Sequence, residues 1–437
     1  MSGALLITGG TVIDPAAGVH ERRDLLIRDG LVAAVAPPGD LDAGGAEELD
    51  AAGCWIVPGL IDMHVHLREP GYEYKETIAS GARAAAAGGF TAVACMANTN
   101  PVNDCAAVTQ SILERARALN LVRVYPIGAV SVGLRGQQLA EIGELREAGV
   151  VALSDDGQPV MDGSLMRRAL EYASMFGLPV IAHAEDRNLA GGGVMNEGAV
   201  SLRLGLAGAP AAAESAMVAR DLALAEQTGG RLHVAHVSTA GAVELIRAAK
   251  ARGINVTAEA APHHFTLTEA AVADYNTNAK MNPPLRTETD VAAVREGIRD
   301  ATLEVIATDH APHHRDEKEC EFDAALNGII GLETALPLAL RLLGEAQVTI
   351  DTLVRALSVN PARILAVAGG SLAVGQPADV TVIDPKRRWR VETDKLLSKS
   401  RNTPFGGWDM VGQAVATIVG GRTVFRAAAN ERRKKSA

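Results

Sequence analysis

Apolar and polar positions divide the chain into two β-rich flanks and a long middle. From Met1 to about Cys54, short apolar runs are broken by Gly and Asp, as in "ALLITGGTVID" and "DLLIRDGLVAAVA". Such runs predict short strands joined by turns. The same texture returns near the end in "GQPADVTVIDP" and "QAVATIVGGRTVF". Two flanks of one texture predict a single small domain built from both termini.

The middle alternates between two periods. Apolar strand-like runs stand at "WIVPGLIDMHV", "FTAVACM", "VRVYPIG", "VVALS", "PVIAHAE", "RLHVAHV", "INVTAEA" and "EVIATDH". Helical spacing fills most of the gaps, at "TIASGARAAAAGG", "AAVTQSILERARAL", "SLMRRALEYASMFG", "AAAESAMVARDLALAEQ" and "AGAVELIRAAKARG". Several of these end at Gly, where left-handed backbone closes a helix. Eight strands separated by crossovers predict an α/β fold of the (β/α)8 barrel type. The expected division is an N-terminal flank at 1–55, the barrel at 56–365, a C-terminal flank at 366–430 and a disordered basic tail at 431–437.

Composition narrows the function. A chain of 437 residues suits a large α/β domain with one companion. Apolar residues make up 48% and aromatics 3%, so the core is aliphatic. A net charge of −10 and a pI near 5.6 argue against nonspecific binding to nucleic acid or anionic membrane. A small anionic substrate stays open, because a pocket can be basic on an acidic protein. Cys54, Cys95, Cys105 and Cys320 show no C-x-x-C spacing and fit reduced thiols. The start "MSGALLITGG" lacks the basic and apolar regions of a signal peptide. No apolar run reaches the ~18 residues of a membrane span. A cytoplasmic protein is expected.

The histidines point to chemistry. Ten of the eleven lie between His64 and His314. "DMHVHLREPG" puts His64 and His66 at the end of the first barrel strand, two apart and so on one side. His183 ends the fifth strand, His236 the sixth, and Asp309 the eighth. Barrel active sites lie at the C-terminal ends of strands, so these five converge on one rim. Neutral imidazole and carboxylate are ligands for zinc and similar divalent ions. Five exceed what one catalytic zinc takes from protein, so the set suits two ions with a bridge. A lone strand histidine is more often a packed core residue, and His233 is read so. His310 follows Asp309 and faces away from it, a structural placement. His263 and His264 stay open between structural and substrate-side roles.

These residues stand in recognisable surroundings. "GLIDMHVHLREPG", "MANTNP", "SDDG", "AHAED", "MNEG", "AHVST", "AEAAPHHF", "MNPPLR", "TDHAPH" and "GLETALP" occur in order from Gly59 to Pro337. In them the chain resembles the cyclic amidohydrolases, and most closely the bacterial type I dihydroorotases. The flanks are similar to the small composite β-sandwich domain of that superfamily. The resemblance implies a metal-dependent hydrolase barrel and a reversible reaction of pyrimidine biosynthesis. N-carbamoyl-L-aspartate closes to dihydroorotate with loss of water. Ring opening needs a nucleophile at neutral pH, and zinc lowers the pKa of bound water from about 15.7 to around 7. A nearby carboxylate must carry the proton to the leaving nitrogen, and the family gives Asp309 that role. Arg68 can clamp a substrate carboxylate. The family pattern adds Asn98, Asn282 and His313 as substrate contacts, and the segment of Asn327 and Gly328 as a backbone contact. Here Leu326, Asn327 and Gly328 stand where relatives often carry Pro-Phe-Gly, a departure that backbone contacts tolerate.

Hydantoinases and allantoinases are the neighbouring alternative. They usually bridge their metals with a carboxylated lysine from the fourth strand, where this chain reads "SDDG". A non-catalytic partner of aspartate carbamoyltransferase is the alternative of another class. It fits poorly with a full set of ligand positions. A homodimer is expected, and association with that transferase stays open. Of the two acids, Asp156 continues the small-residue face of Ala152 and Ser154, which suits the barrel interior. Asp156 is therefore expected to bridge two zinc ions, with Asp155 in the turn or behind it. The expected metal set is His64, His66, Asp156, His183, His236 and Asp309.

Overall fold

The computed structural model describes residues 3–428, so the basic tail expected at 431–437 lies outside the described residues. Its two flanks join in one β structure. A six-stranded sheet runs in the order Arg422–Arg426, Asp409–Val419, Val380–Arg390, Trp55–Pro58, Thr11–Asp14, Val19–Arg22. A four-stranded sheet runs Leu31–Ala36, Asp24–Arg28, Leu5–Thr8, Glu47–Asp50. Leu5, Ile7, Leu25 and Ile27 of the second share one buried cluster with Val12, Ile56, Val380 and Ile418 of the first. Alternation along each strand gives both sheets an apolar inner face, which they bury against each other.

The apolar run "WIVPGLIDMHV" is two strands, not one. Trp55–Pro58 pairs with Val380–Arg390 in the flank sheet, while Leu60–Val65 opens the barrel. Gly59 separates them, and a Cβ there would fall 2.2 Å from the Thr91 hydroxyl. Only glycine lets the chain cross so close to the next strand.

The barrel strands follow the eight expected runs. Leu60–Val65, Phe90–Cys95 and Arg123–Pro126 pair in parallel. Val180–Ala182, Leu232–Val234, Val256–Ala260 and Val305–Ile306 form the parallel second arc. The fourth strand is reduced to a bridge at Leu153, which joins Gly128 on one side and Val180 on the other. A bridge from His310 to Val65 links the eighth strand to the first. Each strand leads to a helix, the eight being Ile78–Gly88, Ala106–Leu119, Ile142–Ala148, Gly163–Ser174, Ala212–Thr228, Ala240–Ala251, Glu288–Arg299 and Ala335–Glu345. Four of these begin on a side-chain cap, from Thr77, Asp162, Thr239 and Thr287.

The barrel interior explains how a crowded rim is possible. Ala94, Ala152, Ala235 and Ala307 come from the even strands and share a buried cluster with Met63, Ile127 and Ile181 from odd ones. Small residues from alternate strands form a tight packed layer. Leu153 instead joins the larger cluster of strands and helices outside. The packed layer makes a floor, and the polar side chains stand at the strand ends above it.

Candidate metal centre and substrate pocket

His64 and His66 stand where the first strand breaks its pairing, at a register shift between Asp62 and Val65. Such irregularities re-aim side chains at strand ends. His183 directly follows the fifth strand, and His236 lies two residues past the sixth. Asp309 lies three past the eighth. His236 and Asp309 hold left-handed backbone, at φ 32° and 48°, and Arg68 does so at 61°. Non-glycine residues rarely adopt it, and its concentration on one rim marks a site held against local preference.

Asp156 is the hub. Its Oδ1 lies 3.4 Å from His64 Nε2, 3.5 Å from His183 Nδ1 and 3.4 Å from His236 Nε2. Its Oδ2 lies 3.5 Å from His66 Nε2. Two ligand-like groups result, His64–His66–Asp156 and Asp156–His183–His236, each with donor atoms within 4.8 Å of one another. Asp309 Oδ1 lies 3.1 Å from His66 Nε2 and 3.5 Å from His64 Nε2. All six side chains are buried. Asp155 faces elsewhere, accepting hydrogen bonds from the backbone N–H of Val130 and Ser131 at 2.8 and 3.0 Å.

The donor set fits divalent ions. Among the described residues, His64 Nε2 and Asp156 Oδ1 are buried without a hydrogen-bond partner. A buried polar atom left so is costly unless something else engages it. Burial opposes the charge on Asp309, but His64 and His66 outweigh it and hold the carboxyl below its ordinary range. Burial likewise opposes a charged His183, yet Asp156 and Glu185 outweigh it and push that imidazole up to about 9. The cluster is thus an anionic pair of carboxylates that draws positive charge toward it.

A support layer holds the imidazoles. His64 Nδ1 lies 2.6 Å from Glu259 Oε1, and the other Glu259 oxygen lies 3.1 Å from His233 Nε2. His233 is fully buried and bonds Thr257 through its second nitrogen, which places it behind the ligand groups. His66 Nδ1 lies 2.9 Å from Asn98 Oδ1. Asn282 Nδ2 lies 3.3 Å from His183 Nε2. Both asparagines therefore sit on the histidines as well as at the rim. His310 bonds Glu76 and accepts from the Gly331 N–H, a structural placement. His264 bonds the Pro283 carbonyl, while neither nitrogen of His263 has a hydrogen-bond partner among the described residues.

Arg68 stands beside this cluster. Its Nε donates to Pro312 O at 3.1 Å, and its Nη2 lies 3.3 Å from His313 Nε2. Among the described residues no carboxylate oxygen lies within 4.0 Å of its guanidinium. A guanidinium so placed keeps donors that can engage an anion. Burial, then Arg68 and Lys75, push His313 down to about 3, so its ring is neutral. His313 Nε2 also lies 2.8 Å from Asn327 O. Gly328 gives its N–H to Lys280 O at 2.9 Å. A cavity of about 600 Å³, lined in part by Tyr72, Asn98, Arg135, Asp156 and Arg187, opens onto Asp156.

Glu259, Lys75 and Glu317 are the members that sequence reasoning missed. Lys75 Nζ lies 2.9 Å from Glu317 Oε1 and 3.4 Å from His313 Nδ1. Only Glu259 carried a signal, as a charged residue inside an otherwise apolar strand run.

Residues 53–242 match a family model described as Dihydro-orotase-like. The dihydroorotase of Syntrophotalea carbinolica is 60% identical over 422 residues, covering 97% of this chain and 99% of its own. That of Geobacter metallireducens is 57% identical over 422 residues, with the same coverage. Among solved structures, the L-hydantoinase (dihydropyrimidinase) from Arthrobacter aurescens matches with a TM-score of 0.88 at 24% identity, over 98% of this chain and 97% of its own. The dihydropyrimidinase from Brevibacillus agri matches at 0.85 and 24% identity, over 97% and 95%. At such identity the structural likeness carries the barrel fold alone.

Proposed function

The chain belongs to the dihydroorotase family, and from that premise we propose how its rim interconverts N-carbamoyl-L-aspartate and dihydroorotate. Two zinc ions are the proposed cofactor. His64 and His66 would hold one, His183 and His236 the other, with Asp156 between them and Asp309 on the first. When bound, such ions supply Lewis acidity toward the amide carbonyl and acidify water. Asp309 carries the proton. In ring opening it takes it from the attacking water and returns it to the ring nitrogen as the C–N bond breaks. Ring closure runs the same transfers backward. Arg68 and neutral His313 hold the substrate carboxylate, and Asn98 and Asn282 position both substrate and ligand histidines.

One observation carries this reading. Two groups of three potential ligands share a single carboxylate, Asp156, on the rim where Arg68 awaits an anion. The hydantoinase alternative rests on fold likeness, whereas near-full-length relatives at 57–60% identity carry the dihydroorotase name. The scaffold alternative is disfavoured by the six buried side chains gathered at the centre.

The test is the dihydroorotase assay on purified chain. Both directions should run, stop after chelation and return with zinc. Faster turnover of hydantoin or allantoin would overturn the substrate reading. Inactivity with zinc restored would favour the scaffold. Among the described residues no helix is long and apolar enough to cross a membrane. A cytoplasmic place in pyrimidine synthesis is proposed with the activity. The resemblance carries two further expectations, a homodimer and association with aspartate carbamoyltransferase. Light scattering, alone and with that transferase, reads both.

A further inference from the structure

The substrate side of the pocket is built from three loops. Arg68 begins one, His313 lies on the second, and Asn327 with Gly328 on the third. A fourth segment, 396–402, comes from the C-terminal flank, between Val380–Arg390 and Asp409–Val419. It fastens to all three. The Lys399 N–H meets the Glu76 carboxylate at 3.1 and 3.2 Å, and Ser400 Oγ donates to Lys75 O at 2.7 Å. Those contacts hold the Arg68 loop. Asn402 reaches the other two. Its Nδ2 donates to Ala311 O and to Gly328 O, both at 3.0 Å, and its Oδ1 accepts from His313 N at 3.1 Å. Its own carbonyl accepts from Ile330 N at 2.9 Å.

The need for this side chain follows from the backbone around it. His310 bridges Ile329 in parallel, and Ala311 N donates to Ile329 O at 2.7 Å. There the pairing ends, and Ala311 O and His313 N are left facing inward. Buried backbone groups must find partners. An amide carries donors on one side and an acceptor on the other, so a single asparagine serves both strands. Asn402 is 4% exposed, which leaves these contacts without competing water. Gly328 is drawn close as well: at φ 135°, a Cβ there would lie 2.7 Å from Ala311 Cβ.

We infer that Asn402 is a positioning residue for substrate binding. It sets the spacing between His313 and the Asn327–Gly328 segment, and its strap ties that pair to the Arg68 loop. The substrate pocket is therefore completed by the C-terminal flank rather than by the barrel alone. The inference rests on the reading of His313 as a substrate contact. None of the groups Asn402 bonds belongs to a proposed metal ligand, so its effect falls on substrate affinity.

Asn402→Asp keeps the shape and the acceptor but turns both donations into repulsion between a carboxylate and two carbonyls. On zinc-loaded protein, KM for both substrates should rise ~10–100-fold, the scale of one lost charge-assisted hydrogen bond to the substrate carboxylate. The value of kcat should stay within about threefold, the pattern of lost binding that is uniform along the reaction. Zinc content should match the unmutated protein. Asn402→Ser, which keeps one donor and one acceptor, should give an intermediate KM, and it carries the test alone should the aspartate variant not fold. Folded, zinc-replete variants with unmutated KM overturn the inference, whatever their thermal stability. His313→Ala is measured beside them. If it raises KM and the Asn402 variants do not, the reading of His313 stands and the inference falls. If His313→Ala leaves KM unchanged, that reading fails and takes the inference with it.

Discussion

Glu259→Gln tests the proposed metal centre from behind. Glu259 lies on the seventh strand with 1% exposure, and its two oxygens lie 2.6 Å from His64 Nδ1 and 3.1 Å from His233 Nε2. It also accepts from His236 N at 3.3 Å. Burial opposes its charge, but His64 and His233 outweigh it and hold the carboxyl at about 2. With its Nδ1 proton shared with Glu259, His64 would have Nε2 free to serve an ion held beside Asp156. Glutamine keeps the shape and removes the charge. A charge-assisted hydrogen bond contributes roughly 1.5–3 kcal/mol and a neutral one about 0.5–1.5, so the loss is about 1–2 kcal/mol. Loss of a partner behind a metal-ligating histidine typically weakens binding ~10–100-fold, which is about 1.4–2.7 kcal/mol. The two routes agree. The assay is competitive titration of chelated protein with zinc against a chromophoric chelator, with circular dichroism to confirm folding. The site containing His64 should weaken by roughly ten- to a hundredfold. If Glu259→Gln binds both ions within about twofold of the unmutated protein, Glu259 does not hold His64 as a ligand and the argument fails.

Asp156→Ala should abolish binding of the proposed pair of ions, read by elemental analysis after loading with zinc, while Asp155→Ala should weaken it less. Asp155→Ala should instead cost about 1–3 kcal/mol in denaturant unfolding, because it strips the Val130 and Ser131 N–H groups of their acceptor. The opposite outcome would exchange the two roles. Arg68→Lys should raise KM by ~tenfold or more, since an ammonium cannot reproduce a guanidinium fork; unchanged KM would place the substrate carboxylate elsewhere. Burial pushes Lys318 from 10.5 down to about 7, so the unfolded chain binds more protons between those values. The stability it confers is full above 10.5 and is lost as pH falls toward about 7. Unmutated protein should therefore gain on Lys318→Met as pH rises from about 7 to 9.5, in urea midpoints at fixed zinc. Parallel profiles would refute that.

The barrel is legible because each strand carries its own apolar run and several helices close at glycine. The helix Glu288–Arg299 was not among the helical runs read from the sequence, although the Thr287–Asp290 capping box marks its first turn. The break at Gly59 is not legible, since the run around it is continuous and the obstacle, Thr91, belongs to another strand. The histidines are legible because strand ends and site coincide. Glu259 and Asn402 are not. Glu259 acquires meaning from His64, 195 positions away, and Asn402 from His313, 89 positions away. Local pattern reports which face a residue takes, and only the closed barrel reports what stands opposite.

The adjacent acids of "SDDG" show how far local pattern can carry a site. Successive side chains on extended backbone point to opposite sides. Ser154 still holds the sheet, giving its N–H to Gly128 O at 2.8 Å and its hydroxyl to Ile181 O at 2.9 Å. One residue later Asp155 turns toward the third strand's loop and is fixed there by two backbone donors and the Ser131 hydroxyl. That anchorage leaves Asp156 the other side, toward the four imidazoles. A carboxylate on one methylene has little reach, so it serves the centre only if its backbone is delivered within a few ångströms. Asp155 performs that delivery. The proposed bridge therefore depends on two acids in sequence, one placed by the other, where a longer side chain would have needed no such neighbour.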